Sequence, residues 1–74
     1  MELEKLQAII AEVLQTDAES VSVDMSFYDD LGADSLELFQ IVMGVESEFD
    51  IIIDEDTAGS INTVEDLYNL VAAG

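Results

Sequence analysis

Leu31-Gly32-Ala33-Asp34-Ser35-Leu36 is the stretch that decides the fold, because it joins a loop to the start of an amphipathic helix. The Asp34 side chain can accept a hydrogen bond from a backbone N–H of the first helical turn. Glu37, three residues on, completes a capping-box pattern. We therefore predict a helix that begins at Asp34 and runs to about Phe49. Its buried face is expected to hold Leu38, Ile41, Val42, Val45 and Phe49.

This second helix carries more than one kind of surface. Its polar side is predicted to hold Glu37, Gln40, Gly44, Ser47 and Glu48. A mid-helix glycine costs up to about 1 kcal/mol relative to alanine, and the pattern supplies no reason for Gly44. Three apolar side chains belong to neither side and either stay exposed or fill the core: Leu36, Phe39 and Met43.

Two further long helices are predicted, one at each end of the chain. The first covers Glu2 to Gln15, with an apolar stripe made by Leu3, Leu6, Ile9, Ile10, Val13 and Leu14. The last follows an N-cap at Thr63 and ends near Ala72. A short helical turn is expected from Glu55 to Ser60.

The segment after the first helix alternates apolar and polar residues from Val21 to Phe27, which is the spacing of a strand. No second alternating run is present to pair with it, and an isolated strand leaves backbone groups unsatisfied. We therefore expect a long loop, anchored to the core by Val21, Phe27 and Leu31. Gly32 would supply a backbone conformation that other residues adopt with difficulty. Residues 51–53 are predicted as a connector.

These segments predict an all-α fold. It is a small antiparallel four-helix bundle with three main helices, one short helix and a long loop after the first helix. The 74 residues are expected to form a single domain, 1–74, which buries only about 60% of the surface that the unfolded chain exposes. Half of the residues are hydrophobic and recur with helical spacing, which favours a folded core over disorder.

Composition excludes several classes of function. The chain has no Cys, His or Arg and a single lysine, Lys5, so it lacks a thiolate nucleophile, the neutral-pH base and thiolate or imidazole metal ligands. Its net charge of −17 repels nucleic acid and anionic lipid and favours basic protein surfaces. No apolar run approaches the ~20 residues of a membrane span. We expect a soluble protein that acts in the cytoplasm, without membrane insertion.

Ser35 is the residue best placed for chemistry. It is predicted at the first helical position, where its hydroxyl meets solvent and unpaired backbone N–H groups lie nearby. Helix N-termini favour anions by roughly 0.3 to 1 kcal/mol at exposed sites. The position therefore suits a covalently attached phosphate.

The sequence resembles the acyl carrier proteins of fatty-acid synthesis over nearly its whole length. The resemblance lies in the first helix, the loop with Phe27, residues 30–36, residues 42–46, residues 48–50, and Ile61-Asn62-Thr63-Val64. In that family the serine of the Asp-Ser-Leu motif carries 4'-phosphopantetheine from coenzyme A, so the resemblance implies this role for Ser35. The sequence departs from the family at Gln40, Gly44, Ile52 and Asp54.

The resemblance also implies partners. A phosphopantetheinyl transferase would modify the chain, and acyl chains would travel as thioesters on the added thiol to the basic surfaces of synthesis enzymes. The chain would act as a monomeric carrier and not as an enzyme. The docking residues would be Asp34, Leu36, Glu37, Phe39, Met43, Glu46 and Glu48. The acyl pocket would be made by Phe27, Leu38, Ile41, Val45, Ile61 and Leu67.

Other functions stay open at this point. A carrier of type II polyketide synthesis shares the same motif. Acidic clusters around Asp30 and Asp54 suggest a calcium-binding module, although neither matches an EF-hand loop. An acidic inhibitor of a basic protein would fit the charge but leaves the exposed serine without a role. A stand-alone enzyme fits least, because so short a chain can hardly enclose a catalytic cleft.

Overall fold

The computed structural model describes residues 2–73, and within that range it is helical, as the sequence predicts. The helices are α1 (Glu2–Leu14), α2 (Ser35–Phe49), α3 (Glu55–Gly59) and α4 (Val64–Ala73), with one 3₁₀ turn at Ala18–Ser20. Each helix end lies within one or two residues of its predicted position. None of these helices has the length and apolar character that crossing a membrane would need.

The core is built from three of the four helices, the long loop and the two segments that flank α3, which contribute Ile53 and Ile61. α1 packs against both α2 and α4, and α3 contributes no fully buried residue. The largest side chains that are fully enclosed are Phe27, Leu6, Ile10, Ile41, Leu67, Val21, Val45 and Val64. Since the helix stripes meet in one cluster, a chain this short still forms a continuous apolar interior.

The loop between α1 and α2 is anchored as predicted. Val21 and Phe27 are buried, and Leu31 packs against the core from a partly exposed position. In residues 2–73 the loop makes one isolated antiparallel bridge, between Ser26 and Thr63, and not a strand pair. Gly32 adopts φ +69°, the left-handed region in which a side chain would be strained.

Side-chain caps set the start of the two helices that follow α2. Asp54 accepts a 2.7 Å hydrogen bond from the Thr57 N–H at the start of α3. Before α4, the Thr63 hydroxyl accepts from the Asp66 N–H at 3.2 Å. The Asp66 carboxylate accepts in return from the N–H groups of Asn62 (3.0 Å) and Thr63 (3.1 Å). These N–H donors stabilise the ionised carboxylates and lower the pKa of Asp54 and Asp66.

The two longest helices end in the same way, each with a left-handed residue that is not glycine. After α1, Gln15 has φ 57°, and the Thr16 N–H donates to the Ala11 carbonyl at 2.9 Å. After α2, Asp50 has φ 55°, and the following amide donates to the Glu46 carbonyl at 3.2 Å. In both cases an N–H just after the helix donates to the carbonyl five residues earlier, which is the Schellman pattern that ends a helix.

The prediction that Gly44 lies on the polar side of α2 is wrong. Gly44 is partly buried and faces α1, where a Cβ built on it would lie 3.0 Å from Cγ2 of Ile9. Helical periodicity assigned the position by angle alone, whereas the close approach of α1 covers this part of α2. A glycine at this point leaves room for the neighbouring helix.

Candidate functional site

Ser35 is the first residue of α2 and is exposed. The capping box predicted before it is present: the Asp34 carboxylate accepts from the Glu37 N–H at 2.8 Å, and the Glu37 carboxylate accepts from the Asp34 N–H at 3.1 Å. These bonds satisfy two of the four N–H groups that lack helical partners, and the other two belong to Ser35 and Leu36. Ser35 is therefore an exposed residue at the positive end of a 15-residue helix, beside two N–H groups without helical partners.

A cleft of about 230 Å³ opens beside Ser35, between α2, α3 and the long loop. Its lining is mostly apolar and consists of Tyr28, Ser35, Leu38, Phe39, Val42, Ala58 and Gly59. A group attached to the serine oxygen would thus have apolar surface next to it.

This cleft is built from a different set of residues than the acyl pocket proposed from the sequence. Of the six predicted pocket residues, only Leu38 lines the cleft. The other five lie in the core with at most 2% exposure: Phe27, Ile41, Val45, Ile61 and Leu67. Sequence reasoning missed Tyr28, Ala58 and Gly59, because only the tertiary structure brings α3 and the loop beside Ser35. The one available signal was Tyr28, an aromatic residue of the loop that is not among its predicted core anchors.

The three apolar side chains of α2 that lie outside its predicted buried face are exposed. The sequence left open whether they stay at the surface or fill the core, and the structure places them at the surface. Leu36 is 64% exposed, Phe39 53% and Met43 48%. They follow Ser35 at spacings that place them along neighbouring turns of α2. An exposed apolar strip of this kind next to a candidate site is typical of a contact surface.

The acidic residues predicted for docking differ in their surroundings. Asp34 and Glu48 are exposed, whereas Glu37 and Glu46 are partly buried. The Glu46 carboxylate accepts a 2.8 Å hydrogen bond from the Ile53 N–H, which ties the connector after α2 back to that helix. Asp34 and Glu37 are used in the capping box. Three of the four acids therefore also have structural roles.

The acidic clusters that suggested calcium binding are used in turns and caps. The Asp30 carboxylate accepts from the Ser26 N–H at 2.8 Å, and Asp54 caps α3. Across residues 2–73, no three acidic side chains are grouped in a way that could hold a metal ion.

Comparison with known proteins identifies the family. The family model described as "Phosphopantetheine attachment site" matches residues 4–71. The acyl carrier protein of Clostridium acetobutylicum is 41% identical over 73 residues, covering 99% of this chain and 95% of that protein. The acyl carrier protein of Petrotoga mobilis is 45% identical over 69 residues, covering 93% and 81%.

The fold agrees with this relationship. A solved structure of an acyl carrier protein from Mycobacterium tuberculosis superposes with a TM-score of 0.93 at 41% identity, covering 99% of this chain and 97% of that one. The chain therefore belongs to the phosphopantetheine-attachment family, among its acyl carrier proteins. Its prosthetic group is 4'-phosphopantetheine, which confirms the cofactor predicted from the sequence.

Proposed function

We propose that Ser35 carries the 4'-phosphopantetheine and that acyl chains bound to its thiol pass between enzymes of fatty-acid synthesis. The observation that carries this proposal is the exposed position of Ser35 at the start of α2, with an apolar cleft beside it. The family match supports the prosthetic group, and the Asp-Ser-Leu motif points to this serine. No comparison favours a carrier of polyketide synthesis.

Ser35 would act as the nucleophile when the group is attached. Its oxygen would form a bond to the phosphorus that bears pantetheine in coenzyme A, and the bond from that phosphorus to the adenosine-bisphosphate leaving group would break. The hydroxyl proton would pass to a base of the transferase, since this chain has no His and its Asp34 carboxylate is held in the capping box. The chain is thus a substrate of the transferase and supplies only the accepting oxygen.

The start of α2 suits the phosphodiester that results. The free N–H groups of Ser35 and Leu36 lie next to the attached oxygen, and the helix dipole favours an anion there by roughly 0.3 to 1 kcal/mol. Asp34 and Glu37 oppose the added negative charge, but their carboxylates are already paired with backbone N–H groups. When bound, the prosthetic group supplies a terminal thiol that forms thioesters.

We propose that the acyl chain enters through the cleft beside Ser35. Leu38 belongs both to this cleft and to the predicted pocket, so it connects the opening to the buried residues beneath it. Separation of α3 from α2 would extend the space towards the core, because α3 contributes no fully buried side chain and is the least anchored helix.

Partner enzymes are proposed to dock on α2. Leu36, Phe39 and Met43 would form the apolar centre of the contact, surrounded by the predicted acidic residues Asp34, Glu37, Glu46 and Glu48. Exposed ion pairs contribute about 0 to 1 kcal/mol each, so contacts of this kind form quickly and dissociate quickly. A carrier that visits several enzymes in turn needs such reversibility.

We expect the chain to act as a monomer in the cytoplasm, without binding nucleic acid, because its charge of −17 repels both other copies and phosphate backbones.

Intact-mass spectrometry tests the attachment. Wild type, Ser35→Ala and Ser47→Ala would be incubated with a phosphopantetheinyl transferase and coenzyme A. Ser47 is a matched control because it is also an exposed serine of α2. We expect one added phosphopantetheine on the wild type and on Ser47→Ala, and none on Ser35→Ala. An unmodified wild type, or a modified Ser35→Ala protein, would contradict the proposal.

A further inference from the structure

Tyr28 is a large aromatic residue of the long loop that the core does not enclose. Its side chain is 45% exposed, and it is not among the side chains that pack in or against the core. It lines the cleft beside Ser35, together with residues of α2 and α3. Passage of an acyl chain through this cleft requires apolar surface but no phenol, so the hydroxyl of Tyr28 is left without a role.

The backbone on both sides of Tyr28 is held in place. Before it, Phe27 is fully buried, and the Phe27 N–H donates to the Asn62 carbonyl at 2.9 Å. After it, the Asp29 N–H donates to the Ser26 hydroxyl at 3.0 Å. A contact made by Tyr28 therefore needs to order only a side chain with two rotatable angles, which costs little entropy.

A phosphodiester on Ser35 lacks a cationic partner in the cleft. The chain has no Arg or His, and its single lysine, Lys5, belongs to α1. Among residues 2–73, no positively charged side chain lines the cleft. The negative charge would therefore be stabilised from within this chain by neutral donors, which are backbone N–H groups and hydroxyls.

Tyr28 supplies a neutral donor at the right place. Apart from Ser35, it is the one cleft residue in the described part of the chain whose side chain can donate a hydrogen bond. Attachment replaces the hydroxyl proton of Ser35, which leaves the phenol. The phosphate would be bonded directly to the Ser35 oxygen, so it is the part of the prosthetic group that must stay beside the serine. Hydrogen bonds to a charged oxygen are stronger than those between neutral groups.

We propose that Tyr28 is a positioning residue for the prosthetic group, and that its hydroxyl donates a hydrogen bond to a phosphodiester oxygen on Ser35. This inference rests on the proposed attachment at Ser35. The phenol would act together with the free N–H groups of Ser35 and Leu36 at the start of α2. It takes no part in bond formation or transfer, and it orients the first atoms of the arm towards the cleft.

Two matched variants test the role of the hydroxyl. Tyr28→Phe removes the hydroxyl and keeps the ring. Tyr68→Phe makes the same chemical change on α4, at a residue that does not line the cleft, and is the control. Wild type and both variants would be prepared without and with phosphopantetheine, and intact mass would confirm complete loading. Circular dichroism checks that each protein keeps its helices.

Urea unfolding measures how much the prosthetic group stabilises each protein. The quantity compared is the unfolding equilibrium constant of the unloaded form divided by that of the loaded form. We expect this ratio to be about three- to tenfold smaller in Tyr28→Phe than in the wild type, since one hydrogen bond to the group is lost. Tyr68→Phe should have the wild-type ratio. Equal ratios in all three proteins would overturn the proposal.

Phosphorus NMR locates the contact on the prosthetic group. The loaded protein contains one phosphorus atom, so its spectrum has a single resonance. We expect the resonance of loaded Tyr28→Phe to be shifted from that of the wild type, while the resonance of loaded Tyr68→Phe coincides with it. A smaller stability ratio without a phosphorus shift would place the contact farther along the arm and would overturn the assignment to the phosphodiester.

Failure of this inference is distinguishable from failure of the attachment. Complete loading, equal stability ratios and coincident phosphorus resonances would reject the role of Tyr28 and leave the attachment at Ser35 standing. Absence of loading in the wild type would reject both.

Discussion

Gly44 of α2 lies directly against Ile9 of α1: a Cβ added to Gly44 would lie 3.0 Å from Ile9 Cγ2. That distance is shorter than ordinary carbon contacts of about 3.5 to 4.0 Å. The contact gives a packing reason for a residue that lowers helix stability, and the same missing side chain helps to form a groove between α1 and α2.

Replacement of Gly44 with alanine is expected to stabilise α2 only where Ile9 has been shortened. Alanine gains about 1 kcal/mol in helix propensity, but in the wild type this gain is offset by overlap with Ile9 Cγ2. In an Ile9→Ala background the overlap is absent, so Gly44→Ala should raise the free energy of unfolding by about 1 kcal/mol more than it does in the wild type. Urea unfolding of the four proteins of this cycle measures the difference. Equal effects in both backgrounds would show that the contact does not restrict the position.

Loss of the cap before Ser35 is expected to destabilise the protein. Asp34→Ala removes the acceptor of the Glu37 N–H and should lower the free energy of unfolding by about 1 kcal/mol. Asp34→Ser keeps a capping oxygen and should lose much less, although both variants remove one negative charge. Chemical denaturation compares them. A similar loss in both would assign the effect to charge and not to the cap.

Gln15→Gly is expected to stabilise the end of α1. Gln15 occupies the left-handed region at φ 57°, which costs an ordinary residue about 1 to 2 kcal/mol, while the extra freedom of glycine in the unfolded chain costs about 0.4 to 1 kcal/mol. The net gain should be about 0.5 kcal/mol in the free energy of unfolding. Thr16→Gly is the control, since that neighbouring residue does not have a positive φ. A loss of stability in Gln15→Gly would contradict the prediction.

The cap formed by Asp66 makes stability depend on pH below neutrality. Hydrogen bonds from the N–H groups of Asn62 and Thr63 lower the pKa of Asp66. Because the folded value lies below the ordinary value of about 3.9, the contribution is complete above that pH and is lost as the pH falls through the lowered pKa.

Thermal melts at several pH values test this consequence. The difference in Tm between wild type and Asp66→Ala should be constant from about pH 7 to pH 5 and should shrink below about pH 3.9. Glu65→Ala controls for the loss of one negative charge at the start of α4. A difference between wild type and Asp66→Ala that persists at the lowest pH would show that the carboxylate charge is not what stabilises the cap.

Salt is expected to stabilise the fold. Eighteen acidic residues repel one another around a single Lys, and raising NaCl from about 0.01 to 1 M shortens the screening length from about 30 to 3 Å. The Tm should therefore rise with salt, as calorimetry or circular dichroism would record. A Tm that stays constant or falls would mean that self-repulsion does not limit stability.

The helices and the exposed serine could be predicted from the sequence, because capping and helical periodicity depend on residues close together in the chain. The Asp34 and Glu37 capping box depends on residues three apart, and the apolar stripe of α1 depends on spacing within one helix. The loop was also predicted correctly, since the absence of a pairing partner for residues 21–27 is visible in the sequence. Its single bridge from Ser26 to Thr63 was not predicted, because it joins segments far apart in the chain.

The lining of the cleft and of the groove could not be predicted for the same reason. Tyr28 of the loop and Gly59 of α3 come beside Ser35 only through the packing of the loop and of α3 against α2. Gly44 was assigned to the polar side because helical angle alone does not show where a second helix approaches.

By itself, then, the sequence determined the helical class, the helix ends and the serine at the start of α2, since caps and periodicity act over a few residues. The tertiary structure decided what surrounds that serine, why Gly44 is present and where a groove opens between α1 and α2. The physical reason is that these features arise from contacts between helices, whose relative placement depends on how all the apolar faces pack together.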